Sequence, residues 1–472
     1  MKTKNIMQIG LYLILILLLC NTSIAQNHSQ QIKVGETPTG LTPGEWDSIR
    51  QQVYIKASTV EIGAYFGASV AISGNTVVVG TFETDRVYIF TQTAGVWSQQ
   101  AELQPPEAVG NSGGYGHSIA IDGDTLVVGS YLESTIQGVV YVYIRSQGVW
   151  SEQEHFQGSN TEYLDTFGYA VAIYGDTIVV GAYGEDSNAT GVGGDETNDS
   201  ASQAGAAYVF TRTGTSWSQD AYLKASNSQT RQRFGWSLSI FDGTIVVGSI
   251  NGAYVFTKNN DIWSQEDYLI IETGGNFGYS VAIFQDTIVV GEFFYDTGNS
   301  DIGAAYVYTR SLSSWNQQAI LTATYTGDND RFGGTVAIMH DTIVVGANYE
   351  ASDAIDINGN ESSNSALYAG AAYVFQRSGN IWSQQAYLKA SNTDAQDHFG
   401  YSVAIADNII AIGAITEKSN ATGINGDQTN NSTNTAGAVY AFELFTDLIY
   451  ANSYENMAEF KLFNYLDSKK KP

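Results

Sequence analysis

Apolar and polar residues alternate in short bursts along this chain, and the bursts come in pairs. The stretch "YAVAIYGDTIVVGA", from Tyr169 to Ala182, is one such pair: alternating residues, a polar Gly-Asp step, then a Val-Val-Gly run. Alternation over a handful of residues is the period of a half-buried strand, and Gly-Asp between two such stretches is turn chemistry. A hairpin is therefore predicted. A second pair follows each hairpin: "GAAYVF", a short polar turn, and a segment carrying tryptophan such as "IWSQQAYL". Four strands, A to D, make one unit.

The unit recurs. An aromatic-glycine step opens it at Phe66-Gly67, Tyr115-Gly116, Phe167-Gly168, Phe234-Gly235, Phe277-Gly278, Phe332-Gly333 and Phe399-Gly400. A Trp strand follows six of these units, at Trp97, Trp150, Trp217, Trp263, Trp315 and Trp382. The seventh stops at "GAVYAFELF", and the missing strand stands ahead of the first unit, in "GEWDSIRQQVYIKAS". Repeated four-stranded units of this length are the signature of propeller blades. The fold class predicted is all-β: a seven-bladed β-propeller of four-stranded antiparallel blades, its ring closed by the N-terminal strand around Trp46. Such closure leaves no bare sheet edge.

These units resemble FG-GAP repeats, the type that forms the seven-bladed propeller at the head of integrin alpha chains, and are most similar to the bacterial variety. The resemblance spans Trp46 to Phe445. The Pro of the "GAP" position is missing at Gly80-Thr81, Gly181-Ala182 and Gly413-Ala414. Calcium is the cofactor the resemblance implies, held in the family between strands A and B by Asp or Asn at every second position. Here that place is a tight turn with one acid, such as Asp124, Asp176, Asp286 or Asp341. One carboxylate makes no calcium cage, so these residues are expected to stabilise the turn by bonding their own backbone.

Because strands alternate in direction, A–B and C–D turns fall on one face of the disc, and B–C loops with D–A connections on the other. The quiet face carries short turns. The other carries long B–C loops in units 3, 6 and 7, with 24 residues separating Gly181 from Gly205, Gly346 from Gly370 and Gly413 from Gly437. Equal length predicts one shared conformation, and long polar loops on a rigid scaffold are where binding concentrates. The ligand face predicted here includes Glu185, Asp328, Asp330, Asp394 and Asp397. A separate calcium site is a second expectation for these loops, drawing on Asp353, Asp356, Asn358 and Asn360, on Asp186, Asp195 and Asp199, and on Asp427. None of these sets follows a complete EF-hand pattern.

The charge of −27, with 48 acidic and 21 basic residues, argues against nucleic acid or anionic membrane as a partner. Residues 1–25 read as a signal peptide: Lys2 and Lys4, the apolar "IGLYLILILLL", and Ser23-Ile24-Ala25 before the cleavage point. Cys20 is the only cysteine and follows Leu19, where lipidation wants a small residue. Residues 26–44 form a linker, 45–445 the propeller and 446–472 a tail outside the repeat. The protein is expected to be secreted or held at the cell surface, and monomeric.

Catalysis finds little support. His28, His117, His155, His340 and His398 share no spacing, and no nucleophile elbow, phosphate loop or zinc motif appears. The tryptophans are expected to pack blade against blade rather than stack on sugars, and Trp236, just after Phe234-Gly235, reads as a core or channel residue. The function expected is that of an exported binding or adhesion module, not an enzyme, whose long-loop face engages a protein or glycan. Two alternatives stay open: a structural or calcium-stabilised surface protein without a specific partner, and a hydrolase or lyase working in the central channel.

Overall fold

The computed structural model of the chain describes residues 49–105, 113–250, 252–271, 275–294, 302–312, 314–325 and 327–444. The expected signal peptide, linker, Trp46 and C-terminal tail lie outside the described residues. Twenty-eight strands among them, from β1 (Ile49–Ile55) to β28 (Ala438–Leu444), form seven four-stranded antiparallel sheets.

The third blade shows why this sequence folds this way. β10 (Ala170–Tyr174) turns into β11 (Thr177–Ala182), which pairs with β12 (Ala206–Thr213), which pairs with β13 (Ser216–Leu223). Ile178, Val179 and Val180 are all fully buried, because a middle strand has a neighbouring blade on each face. That double burial is why strand B reads as an unbroken apolar run while strand A alternates. Six sheets follow chain order. The seventh is ordered β1, β28, β27 (Ile409–Ala414), β26 (Phe399–Ala406), with Ile49 opposite Leu444 and Ile55 opposite Val439.

The core lies between blades rather than within them. One buried cluster joins Val127 and Val142 of blade 2 to Ile178, Val180 and Trp217 of blade 3. Another joins Ile409 and Ala411 of blade 7 to Val77 and Trp97 of blade 1. Five of the six also donate from the indole N–H to the outer strand of the preceding blade, as Trp217 Nε1 does to Gln153 Oε1 at 3.0 Å and Trp97 Nε1 to Gln52 Oε1 at 2.8 Å; the Trp315 indole is buried among the described residues without such a partner. The tryptophans are therefore spent on blade packing.

Glycine is needed where blades approach most closely. A Cβ on Gly181, in strand B, would lie 2.1 Å from the carbonyl oxygen of Gly235, the aromatic-step glycine of the next blade. Gly413 meets Gly67 in the same way, at 2.2 Å. A hydroxyl reinforces the joint: Ser118 Oγ donates to Gly168 O at 2.7 Å, and Ser402 Oγ to Gly67 O at 2.7 Å.

The A–B turn acids behave differently from expectation. Asp176 does not bond its own backbone; its Oδ1 accepts from Arg212 Nε on strand C at 2.7 Å, and Arg212 lies over the Trp217 ring. Asp124 with Arg145 and Asp341 with Arg377 repeat the arrangement. The same arginines reach back one blade, Arg212 Nη1 to Thr125 Oγ1 at 3.2 Å. A guanidinium long enough to span the turn and the blade gap outcompetes the local backbone amide.

Candidate functional site at the channel mouth

Seven inner strands surround a central channel, and each begins at or just after its aromatic-glycine step. The residue following that step is carried to the channel mouth. Those residues are Ala68, His117, Tyr169, Trp236, Tyr279, Gly334 and Tyr401. Together with Phe82, Phe293 and Asn348, which follow strand B, they bound a cavity of about 430 Å3, within the range of small-ligand sites. Since strand A starts and strand B ends here, the mouth opens on the face that bears the long loops.

The wall of the cavity is an aromatic belt. Ring centroids lie 4.8 Å apart for His117–Tyr169, 4.8 Å for Tyr169–Trp236 and 5.7 Å for Trp236–Tyr279. Such tilted packing holds each ring by its neighbours. Burial pushes His117 down to about 4, so the imidazole is neutral at pH 7. Arg331 enters from the D–A connection, at a positive φ of 59°. Its guanidinium sits 3.6 Å from the Tyr349 ring centroid and 5.4 Å from that of Phe293. Arg233 holds the corresponding position in blade 4, over Trp236 and Tyr183. Beneath the mouth lies a smaller cavity of about 240 Å3 between the inner strands, lined by residues such as Val70, Ile72, Val281 and Ile283.

The three long loops share one conformation. Each carries a Glu-x-Ser that meets the Tyr-x-Lys at the end of the outer strand. In blade 3, Lys224 Nζ lies 2.5 Å from Glu185 Oε2, and Tyr222 Oη donates to Glu185 Oε1 at 2.6 Å. Lys389 with Glu350, and Lys56 with Glu417, repeat the pair at 2.7 Å. All six side chains are buried to within a few per cent. Burial pulls the lysine ammonium groups down, against the opposing pull of their glutamates. Backbone bonds then seat each loop on its strand: Lys224 N to Gly191 O, Lys389 N to Asp356 O, Lys56 N to Gly423 O.

The acids singled out from sequence fall into distinct places. Glu185 is 1 % exposed inside its ion pair. Asp330 and Asp397 are buried at the D–A corners, accepting from Gly327 N and Asp394 N. Asp394 accepts from Asn431, while Asp328 and Asp199 are exposed. Asp195, Asn360 and Asp427 occupy the same loop position in three blades. Each caps a turn two residues on, at Thr197, Ser362 and Thr429. Asp186 accepts from Gln203 N, and hydrogen bonds from Ser363 and Ser365 hold the Asp353 carboxyl below its usual range. Asp356 and Asn358 sit at positive φ, where the third blade has Gly191 and Gly193, and Asn358 Oδ1 accepts from Tyr387 N. Among the described residues no three His, Cys, Asp or Glu side chains gather as a metal site. Asp186, Asp195, Asp353, Asn360 and Asp427 are engaged by donors of their own loops, and these scattered oxygens do not fit a calcium cage.

The corner aspartates predict a pH effect. Burial is the main cause that raises Asp397 to about 7 and Asp165 to about 7, with Asp330 at about 6. A carboxyl raised in the folded state from about 4 in the unfolded chain adds stability below pH 4, and that contribution is lost as pH rises through 7. Asp397→Asn removes the titration and keeps an acceptor for Asp394 N. Thermal unfolding of variant and parent should therefore shift in the variant's favour between pH 5 and pH 8, by up to a few kcal/mol. Parallel pH curves would contradict this.

Sequence reading placed function on this face but did not identify the belt. The signal was present at one position per unit, the residue after the aromatic-glycine step, where the sequence points to Trp236 as a core or channel residue and to His117 only as an isolated histidine. The family profile described as FG-GAP repeat matches residues 49–90, 97–143, 150–210, 217–261, 271–308, 315–375 and 382–442. No curated protein matches the chain.

Proposed function

From the premise that the chain belongs to the FG-GAP repeat family, with a propeller fold consistent with a ligand-binding or structural module, we propose that it is an exported binding module. Its ligand, a protein or glycan, engages the long-loop face around the channel mouth. The observation that carries this reading is the aromatic cavity on the loop-bearing face. Aromatic side chains partly open to solvent are strong anchors for ligands, because they bury much area with little loss of conformational freedom. The ordered loops of blades 3, 6 and 7 stand on the same face, and their buried ion pairs hold them ready without a folding step on binding. Family members are typically non-enzymatic, and the residues at the mouth serve recognition rather than a chemical step.

The test is a screen of extracellular glycans and proteins against the parent chain and Ala68→Trp. Ala68 is one of two small residues in the belt, so a Trp there fills the cavity from a position that carries a ring in five of the other blades, with His117, Tyr169, Trp236, Tyr279 and Tyr401. Saturable binding by the parent and its loss in Ala68→Trp is the expected result. Binding that survives the obstruction, or none at all, would overturn the reading.

A further inference from the structure

We propose that the channel mouth recognises a carboxylate-bearing sugar unit, a uronate, by stacking it on the aromatic belt and pairing its carboxylate with Arg331. The inference rests on the reading that this face binds a ligand, and it names the ligand's chemistry.

Charge is the first argument. The protein carries 48 acidic against 21 basic residues. Yet among the described residues the only formally charged side chain lining the cavity is Arg331. No carboxylate lines it, and Arg331 takes part in none of the ion pairs among the described residues. A guanidinium with no carboxylate partner among the described residues of so acidic a molecule is poised for one that arrives with a ligand. Arg233, likewise outside those pairs, adds positive charge behind Trp236, and its Nε is buried with no hydrogen-bond partner.

Shape is the second argument. The Tyr349 ring takes one face of the Arg331 guanidinium at 3.6 Å. Stacking of this kind holds the planar fork and leaves its N–H edge free to grip a carboxylate with two parallel bonds. Next to it, Tyr279, Trp236 and Tyr169 offer ring surface, and the C–H face of a pyranose packs against such surface while its hydroxyls remain available to polar groups. Asn348 supplies an amide at the same mouth, and the neutral imidazole of His117 keeps an Nδ1 that is buried and unpartnered. A single guanidinium matches one carboxylate, not a polyphosphate. Arg331 lines the mouth and not the channel below it, so the acidic ring sits at the mouth.

The experiment is calorimetric titration of the full chain with three probes: oligogalacturonate, its methyl ester, which has the same rings without the charges, and an oligoglutamate peptide. Oligogalacturonate is expected to bind saturably, and the ester and peptide at least tenfold more weakly. Arg331→Gln should weaken oligogalacturonate at least tenfold with an unchanged melting temperature, and Ala68→Trp, which leaves Arg331 in place, should abolish binding. Equal binding of the ester, equal binding of the peptide, no loss in Arg331→Gln, or no binding of oligogalacturonate would each overturn the proposal. If Arg331→Gln fails to fold, the ester comparison and Ala68→Trp decide alone. A ligand found in the broader screen and lost in Ala68→Trp, alongside failure of oligogalacturonate, would reject the uronate and leave the binding face standing.

Discussion

Lys56→Met is expected to destabilise the propeller by about 3–5 kcal/mol, the usual consequence of leaving a buried charge without its partner. Lys56 directly follows β1, and its ammonium lies 2.7 Å from Glu417 Oε2, with both side chains 1 % exposed. Methionine fills similar space but strands the Glu417 carboxylate, to which Tyr54 Oη and Asn392 Nδ2 still donate at 3.0 Å. Two neutral donors do not replace an ammonium ion in a dry site. The damage extends beyond the pair, because Glu417 lies at the start of the long loop of blade 7 and Lys56 directly follows the outer strand of the same sheet. Urea unfolding at pH 7 reads the loss. Adding Glu417→Gln to Lys56→Met should restore most of it, since removing both charges removes the stranded one. Lys389→Met should behave alike in blade 6, where Glu350, Tyr387 and Ser352 repeat the site. A loss below about 1 kcal/mol in both variants would show that these pairs hold nothing together.

Gly400→Ala should cost about 2–4 kcal/mol, from two separable causes. Its φ of +85° is left-handed, worth about 1 kcal/mol against alanine. Its Cβ would stand 2.1 Å from Ala371 O, a backbone atom that cannot swing aside, and forced overpacking in an interior adds about 1–3 kcal/mol. Gly175→Ala separates the two. That glycine, at the A–B turn of blade 3, has φ +57° with nothing within 4 Å of the added Cβ. It should lose only the conformational part, about 1 kcal/mol. Similar losses at both positions would mean that backbone conformation, not the close approach of neighbouring blades, explains the aromatic-glycine step.

The two substitutions also mark how far the sequence could be read. The step at Phe399-Gly400 is visible as a repeat, so its period and the four-strand unit follow from pattern alone. Why glycine must stand there is not visible, because the clashing atom belongs to Ala371, in the neighbouring blade. The long loops of blades 3, 6 and 7 could be read as one conformation from equal length. Their acids could not be sorted from one another, since Glu185, Asp186 and Asp195 look equally available in a string of polar residues. In the folded chain Glu185 is sealed in an ion pair, Asp186 caps a backbone amide and Asp195 ties a turn.

The turn acids show the same limit from the other side. Asp176 was read locally, as a residue serving its own turn, and its partner is Arg212 on a strand 36 residues away. Propensity describes what a residue does with its near neighbours. It says nothing of a long cation that reaches the same carboxylate from across the sheet.

Sequence by itself determined the all-β class, the blade, the sevenfold count, and which face carries short turns and which carries long loops. Those properties are local: strand period, turn chemistry and their repetition all reside in segments shorter than one unit. Tertiary structure alone decided the cavity and the anchors. The belt draws one residue from each blade, and Lys56 finds Glu417 across 361 residues of chain. Side chains that far apart come together only when the seven blades stand around one channel, so their chemistry belongs to the assembled ring and not to any unit of it.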